Sequence, residues 1–143
     1  MHTNHLRDDD CFALRLAARH ISKLYERYLS RAGITPTQFN ILRTLSRCPA
    51  STMAELSTAM LLDRTTLVRA LQPLLRDGLA AAHAEKQGNR LRVVLTESGS
   101  TRLDEAAVLW RAAQASFERS FGRQEAARLR DELFRMTTDP FDK

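Results

Sequence analysis

A chain of 143 residues, 43% hydrophobic and 27% charged with only 5 glycines and 4 prolines, is one domain's length with a core of its own, and excludes a disordered, collagenous or linker-rich protein. Its two cysteines, Cys11 and Cys48, make no disulfide framework; with no run of membrane-spanning length and no apolar core for a secretory signal in Met1 to Asp10, the expectation is a cytoplasmic protein without membrane association. A net charge of +5 suits an anionic partner without requiring one.

From Cys11 to Ala32, Leu14, Ala17, Ile21, Leu24 and Tyr28 recur at alternating spacings of three and four, which predicts a helix with one buried stripe, ended by Gly33. Thr35-Pro36-Thr37-Gln38 offers a capping box with proline at the first helical position; Phe39, Leu42 and Leu45 supply the buried face, and Cys48-Pro49 stops the helix. Thr52-Met53-Ala54-Glu55 is a second capping box, opening a short helix with Met53, Leu56 and Met60 inward. After a turn at Leu61 and Leu62, Asp63 is placed to cap a helix from Arg64 to Asp77, with Leu67, Ala70 or Leu71, and Leu74 buried and Gly78 as terminator. Pro73 removes a hydrogen bond to the Arg69 carbonyl and predicts a kink near the end of this helix.

The period then changes. Arg90 to Leu95 alternates, with Leu91, Val93 and Leu95 on one side and Arg90, Arg92 and Val94 on the other, as in a half-buried strand. With a turn at Gly88-Asn89 it pairs with Leu79 to His83, although an alanine-rich strand is weak by itself. Thr96 caps a long helix whose Leu103, Ala107, Trp110, Gln114, Phe117 and Phe121 approach a coiled-coil seam. Gly122 breaks it, and a last helix from Arg123 to Met136 carries Ala126, Leu129, Leu133 and Met136, with Asp139-Pro140 ending regular structure.

A short capped helix, a tight turn, a second helix and a hairpin form the winged helix-turn-helix order, so the fold class is mainly α with a small β-hairpin wing. One unit, 1–143, is expected, with a DNA-binding lobe at 36–96 and helical dimerisation regions at 8–33 and 97–143. With the leucines of the second helix buried, Thr65, Arg69, Gln72 and Arg76 share its opposite face. Arginine pairs bidentately with guanine edges, glutamine with adenine, and threonine touches a thymine methyl or a phosphate. Arg64 at the helix start sits where backbone amides point towards phosphate, with Thr66 a further DNA-binding candidate, and Arg90 and Arg92 on the wing are placed to reach phosphates or the neighbouring minor groove. Between Asp63 and Arg92, six basic residues (Lys86 among them) stand against three acidic ones, so more than half of the net charge lies there. A solvated arginine face is the bland alternative; the order of elements favours double-stranded DNA.

The segments Gly33-Ile34-Thr35-Pro36-Thr37-Gln38-Phe39, Ala54-Glu55-Leu56, Leu62-Asp63-Arg64-Thr65-Thr66-Leu67-Val68-Arg69, Asp77-Gly78-Leu79 and Leu95-Thr96-Glu97-Ser98-Gly99 resemble the multiple-antibiotic-resistance regulator (MarR) family along nearly the whole chain. The resemblance implies a homodimer in which the N- and C-terminal helices of two chains interlock, a pseudo-palindromic operator straddled by two wings, and repression as the usual outcome. One departure stands: the family's wing carries Asp-x-Arg, whereas Gln87-Gly88-Asn89-Arg90-Leu91-Arg92 has no aspartate, and Arg90 takes the arginine's place only with a one-residue shift.

The resemblance leaves the inducer open. Small-molecule release is the commoner family mechanism, with His20, Tyr25, Phe39 and Trp110 as candidate pocket residues for an aromatic ligand, or equally as core. Asp10-Cys11-Phe12-Ala13-Leu14 is similar to the segment of organic-hydroperoxide-sensing members, in which a thiolate is oxidised; Tyr25 then supports the Cys11 thiol, against a structural Cys11 packed at the dimer interface. A zinc site from His2, His5, Cys11 and His20 lacks a compact ligand pair, so no metal and no cofactor are expected. Glycine-rich phosphate loops, nucleophile elbows and His-Glu-x-x-His are missing, so no enzyme is expected. The remaining alternative is a winged-helix module that binds protein.

Overall fold

The computed structural model describes residues 4–85, 88 and 90–138. A short helix, α1 (Asn4–Arg7), leads to α2 (Asp10–Leu29), which starts where the Asp9 carboxylate accepts from the Phe12 amide at 2.9 Å. One tighter turn, Ser30–Ala32, follows before Gly33 reverses the chain at φ 70°. Helix α3 (Pro36–Arg47) carries the capping box in full: the Gln38 amide donates to Thr35 Oγ1 at 3.1 Å, and the Thr35 amide to Gln38 Oε1 at 3.0 Å.

Helix α4 (Met53–Met60) is capped by Thr52, which accepts from the Glu55 amide at 3.1 Å, but the Glu55 carboxylate turns to Arg92 rather than back to the cap. Helix α5 (Arg64–Arg76) begins at Asp63, which accepts from the Thr66 amide at 2.7 Å. It runs through Pro73 as one helix. The carbonyl deprived of its partner belongs to Arg69, on the exposed face, so the loss disturbs no packing.

Three strands form an antiparallel sheet ordered β1-β3-β2: β1 (Ser51–Thr52), β2 (Ala80–Ala84) and β3 (Leu91–Leu95). The alanine-rich β2 is held by context, with buried Leu79 and Ala80 at its root and a register that pairs Ala80 with Leu95 and Ala84 with Leu91. β1 is new: two residues show no period, yet Ser51 and Thr52 pair with Val93 and Arg92. The expected turn residue Asn89, with Lys86, Gln87 and His2, lies outside the described residues.

Leu29, Ile41, Leu42, Leu45, Leu56, Leu67, Leu74 and Val93 form the centre of the core, closed on one side by Leu103 and Ala106 of α6 (Glu97–Phe121). Helix α7 (Arg123–Thr138) follows Gly122. In α2 the residues buried within one chain are Tyr25 and Leu29; the predicted stripe is displaced, with Leu14 and Ala17 exposed and Ile21, Leu24 and Tyr28 half-buried. In α7 only Ala126 is buried, and Leu129 and Leu133 are exposed. These apolar faces were legible as apolar, but none of the described residues covers them.

Candidate nucleic-acid interface

Helix α5 separates its residues by chemistry. Leu67, Leu71 and Leu74 are buried, while Arg64, Thr65, Thr66, Arg69, Gln72 and Arg76 are all exposed. At 3.6 residues per turn, Thr65, Arg69, Gln72 and Arg76 fall on one ridge opposite the leucines. The Asp63 cap fixes the start of that ridge, and the amides it engages, with Arg69 nearby, hold its carboxyl below the usual range. Arg76, in the last turn, pairs with its neighbour Asp77 at 3.4 Å.

The wing meets the start of α5 at a notch of about 390 Å³ lined by Thr52, Met53, Ala54, Arg64, Arg90 and Leu91. Arg64 and Arg90 thus share one concavity beside the first turn of α4. Arg90 is exposed and has no ion-pair partner among the described residues. Arg92, expected from alternation to share a face with Arg90, is tied inward: Nε pairs with Glu85, Nη1 lies 3.8 Å from Glu55, and Nη1 donates to the Ala50 carbonyl at 2.7 Å. The two wing arginines expected to act alike are therefore different in kind. Alternation alone gives them one face, and the carboxylates that separate them are distant in sequence or at the far end of the hairpin.

The four candidate pocket residues divide. Trp110 stacks on Phe39, with centroids 4.4 Å apart at 18°, and tilts against Tyr25, also at 4.4 Å. The Arg43 guanidinium sits 5.2 Å from the Phe39 centroid and 5.3 Å from that of Trp110. The Tyr25 hydroxyl donates to Gln114 Oε1 at 2.6 Å, and Gln114 donates to Glu118 at 3.1 Å. Burial and then the Glu118 charge raise the Tyr25 pKa. These rings fill one another's space as core between α2, α3 and α6. His20 is elsewhere, in an open groove of about 1180 Å³ between α2 and α6, with Leu24, Arg27, Phe117 and Phe121. Arg43 carries no sequence signal for its cation-π position; the Phe39-Arg43 spacing of one helical turn was the available hint.

Cys11 is exposed in the first turn of α2, and Tyr25 lies farther along that helix by a rise of about 21 Å, its hydroxyl engaged with Gln114. One chain does not bring them together. Among the described residues no His, Cys, Asp and Glu cluster suits a metal, and no helix is long and apolar enough to cross a membrane.

The family profile described as MarR matches residues 32–90. The transcriptional regulator MosR of Mycobacterium tuberculosis, solved in complex with DNA, is 36% identical over 90% of this chain and 92% of its own, with a TM-score of 0.79. The repressor CouR bound to a 23-mer DNA duplex shares the fold at 22% identity, over 92% of this chain and 94% of that one, with a TM-score of 0.84. CouR from Rhodococcus jostii RHA1 bound to p-coumaroyl-CoA gives 19%, 96%, 98% and 0.80 for the same measures. No curated protein sequence matches the chain.

Proposed function

This chain belongs to the MarR family of winged helix-turn-helix proteins, and on that premise we propose how it works: a homodimeric transcriptional regulator binds a pseudo-palindromic DNA duplex and is released by a small molecule. The observation that carries DNA binding is the exposed ridge of α5, Thr65, Arg69, Gln72 and Arg76, set beside a notch where Arg64 and Arg90 converge. A helix of this kind enters the major groove with its N-terminal residues against base edges. Thr65, Arg69 and Gln72 accordingly read bases. Arg64, Thr66 and Arg90 hold the phosphate backbone, and Arg76, at the far end and paired with Asp77, contributes charge alone.

The homodimer accounts for apolar faces left open in one chain: Leu14 and Leu16 of α2, Phe121 of α6, and Leu129, Leu133 and Phe134 of α7. Repression follows if the occupied site overlaps a promoter. The known relatives act in the same directions, MosR on DNA and CouR on both DNA and an acyl-CoA. The packing of Tyr25, Phe39 and Trp110 on one another supports assigning the small molecule to the open groove that contains His20.

Selection of duplexes from a random pool tests the function. An enriched inverted repeat with half-sites about 10 base pairs apart is expected, with affinity that falls steeply as salt rises. Enrichment of no sequence would replace DNA by a protein partner.

A further inference from the structure

The Arg92 side chain is central to the wing and points away from the role its charge suggests. Its backbone pairs with Thr52 of β1 on one side and His83 of β2 on the other. Its guanidinium joins three separate parts of the lobe: the Ala50 carbonyl before β1, Glu55 in α4, and Glu85 at the end of β2. Ala50 has φ 61°, the left-handed region that alanine rarely occupies, and Arg92 holds the carbonyl of that turn.

Two residues back, immediately before β3, is Arg90, which lines the notch with Arg64. The notch is lined by Arg90 and Leu91 at the start of β3 and by residues of the β1-α4 junction and the start of α5. The Arg92 side chain ties β3 to the β1-α4 junction through Ala50 and Glu55.

We propose that Arg92 is a positioning residue for DNA binding, its clasp on Glu85, Glu55 and Ala50 fixing the separation of Arg90 from Arg64 so that both reach the oxyanions of one phosphodiester stretch. This rests on the DNA-binding function above. The clasp contributes geometry, and its own positive charge is spent on the two carboxylates.

Glu85→Gln separates geometry from charge. It removes a negative charge from a lobe that approaches DNA, so by electrostatics alone binding tightens; the clasp predicts weaker binding. The measurement is fluorescence anisotropy with the enriched duplex across a salt series, for wild type, Glu85→Gln, Arg92→Gln, Arg92→Lys and Arg90→Gln, with circular dichroism confirming that each is folded. Glu85→Gln and Arg92→Gln should both weaken binding about two- to thirty-fold, the range through which residues without ligand contact act. Their salt slopes should match that of wild type, while Arg90→Gln lowers the slope by about 1. Arg92→Lys, which keeps the charge but lacks the planar fork, should bind like Arg92→Gln. Tighter binding by Glu85→Gln, full affinity in Arg92→Lys, or a slope lowered in Arg92→Gln as in Arg90→Gln would each overturn the clasp. A wild-type chain that binds no enriched duplex overturns DNA binding itself, and is recognised before any variant is compared.

Discussion

Trp110 of α6 and Phe39 of α3 stack with ring centroids 4.4 Å apart, and this pair joins the long C-terminal helix to the lobe that carries α5. Tyr25 of α2 also packs against this indole, so one ring joins α6 to both α2 and α3. Trp110 is only half-buried, which places its truncation at the low end of the range for aromatic residues. Trp110→Ala should destabilise the fold by about 3 kcal/mol, read from the denaturant midpoint, and Trp110→Phe by much less because a ring still stacks on Phe39. Equal losses in the two variants would mean that the indole acts by something other than stacking.

The hydroxyl of Tyr25 gives a second, pH-dependent test. Replacing it in Tyr25→Phe deletes the hydrogen bond to Gln114, for an expected loss of about 1 kcal/mol near neutral pH. Burial raises this tyrosine's pKa in the folded chain. Its contribution is therefore complete below the ordinary tyrosine value of about 10 and is lost as pH rises from there through the raised folded value. Thermal unfolding between neutral and strongly alkaline pH should show wild type converging on Tyr25→Phe at the alkaline end. A constant gap between the two across that range would show that the phenol does not titrate with folding.

Much of this was legible because caps and periods are local. Asp63, Thr35 and Thr96 each start the helix that their sequence position indicates, since a cap needs only a side-chain oxygen and an amide three residues on. The burial of α2 and α7 was not, because periodicity reports which face is apolar and not what covers it: Leu14 and Leu133 belong to regular stripes and remain exposed in one chain. The candidate site divides in the same way. The α5 ridge follows from the leucine spacing alone, whereas the inward tie of Arg92 depends on Glu55 and Ala50, which only the fold brings near. The aromatic residues divide for a related reason: Tyr25, Phe39 and Trp110 pack on one another, the core alternative that their spacing also allowed, while His20 lines a separate groove.

Gly99 is a point of close approach between α6 and the root of the wing. A Cβ there would lie 1.9 Å from the Leu79 carbonyl oxygen and 2.7 Å from a Leu95 methyl. That carbonyl already accepts the Thr96 amide at 3.2 Å, and Thr96 donates to the Gly78 carbonyl at 2.6 Å, so α6 starts pressed against the root of β2. Gly99→Ala should cost about 1 to 3 kcal/mol or more through forced backbone movement, despite alanine's better helix propensity. Stabilisation by this substitution, measured by thermal unfolding, would refute the close approach.

Arg69 and Arg90 are predicted to fail differently when removed, because the proposed function sets Arg69, on the exposed ridge of α5, against base edges and Arg90, in the notch, against phosphate. Arg69→Ala should weaken binding to the enriched duplex by about 1 to 3 kcal/mol and relax base preference at one position in each half-site. Arg90→Ala should weaken specific and random duplexes alike, since every sequence presents the same phosphates. Paired titrations of both duplexes decide the matter. If Arg69→Ala lowers random-duplex affinity as much as specific affinity, the ridge of α5 is not reading bases. If Arg90→Ala alters sequence preference, the wing reads a groove rather than the backbone.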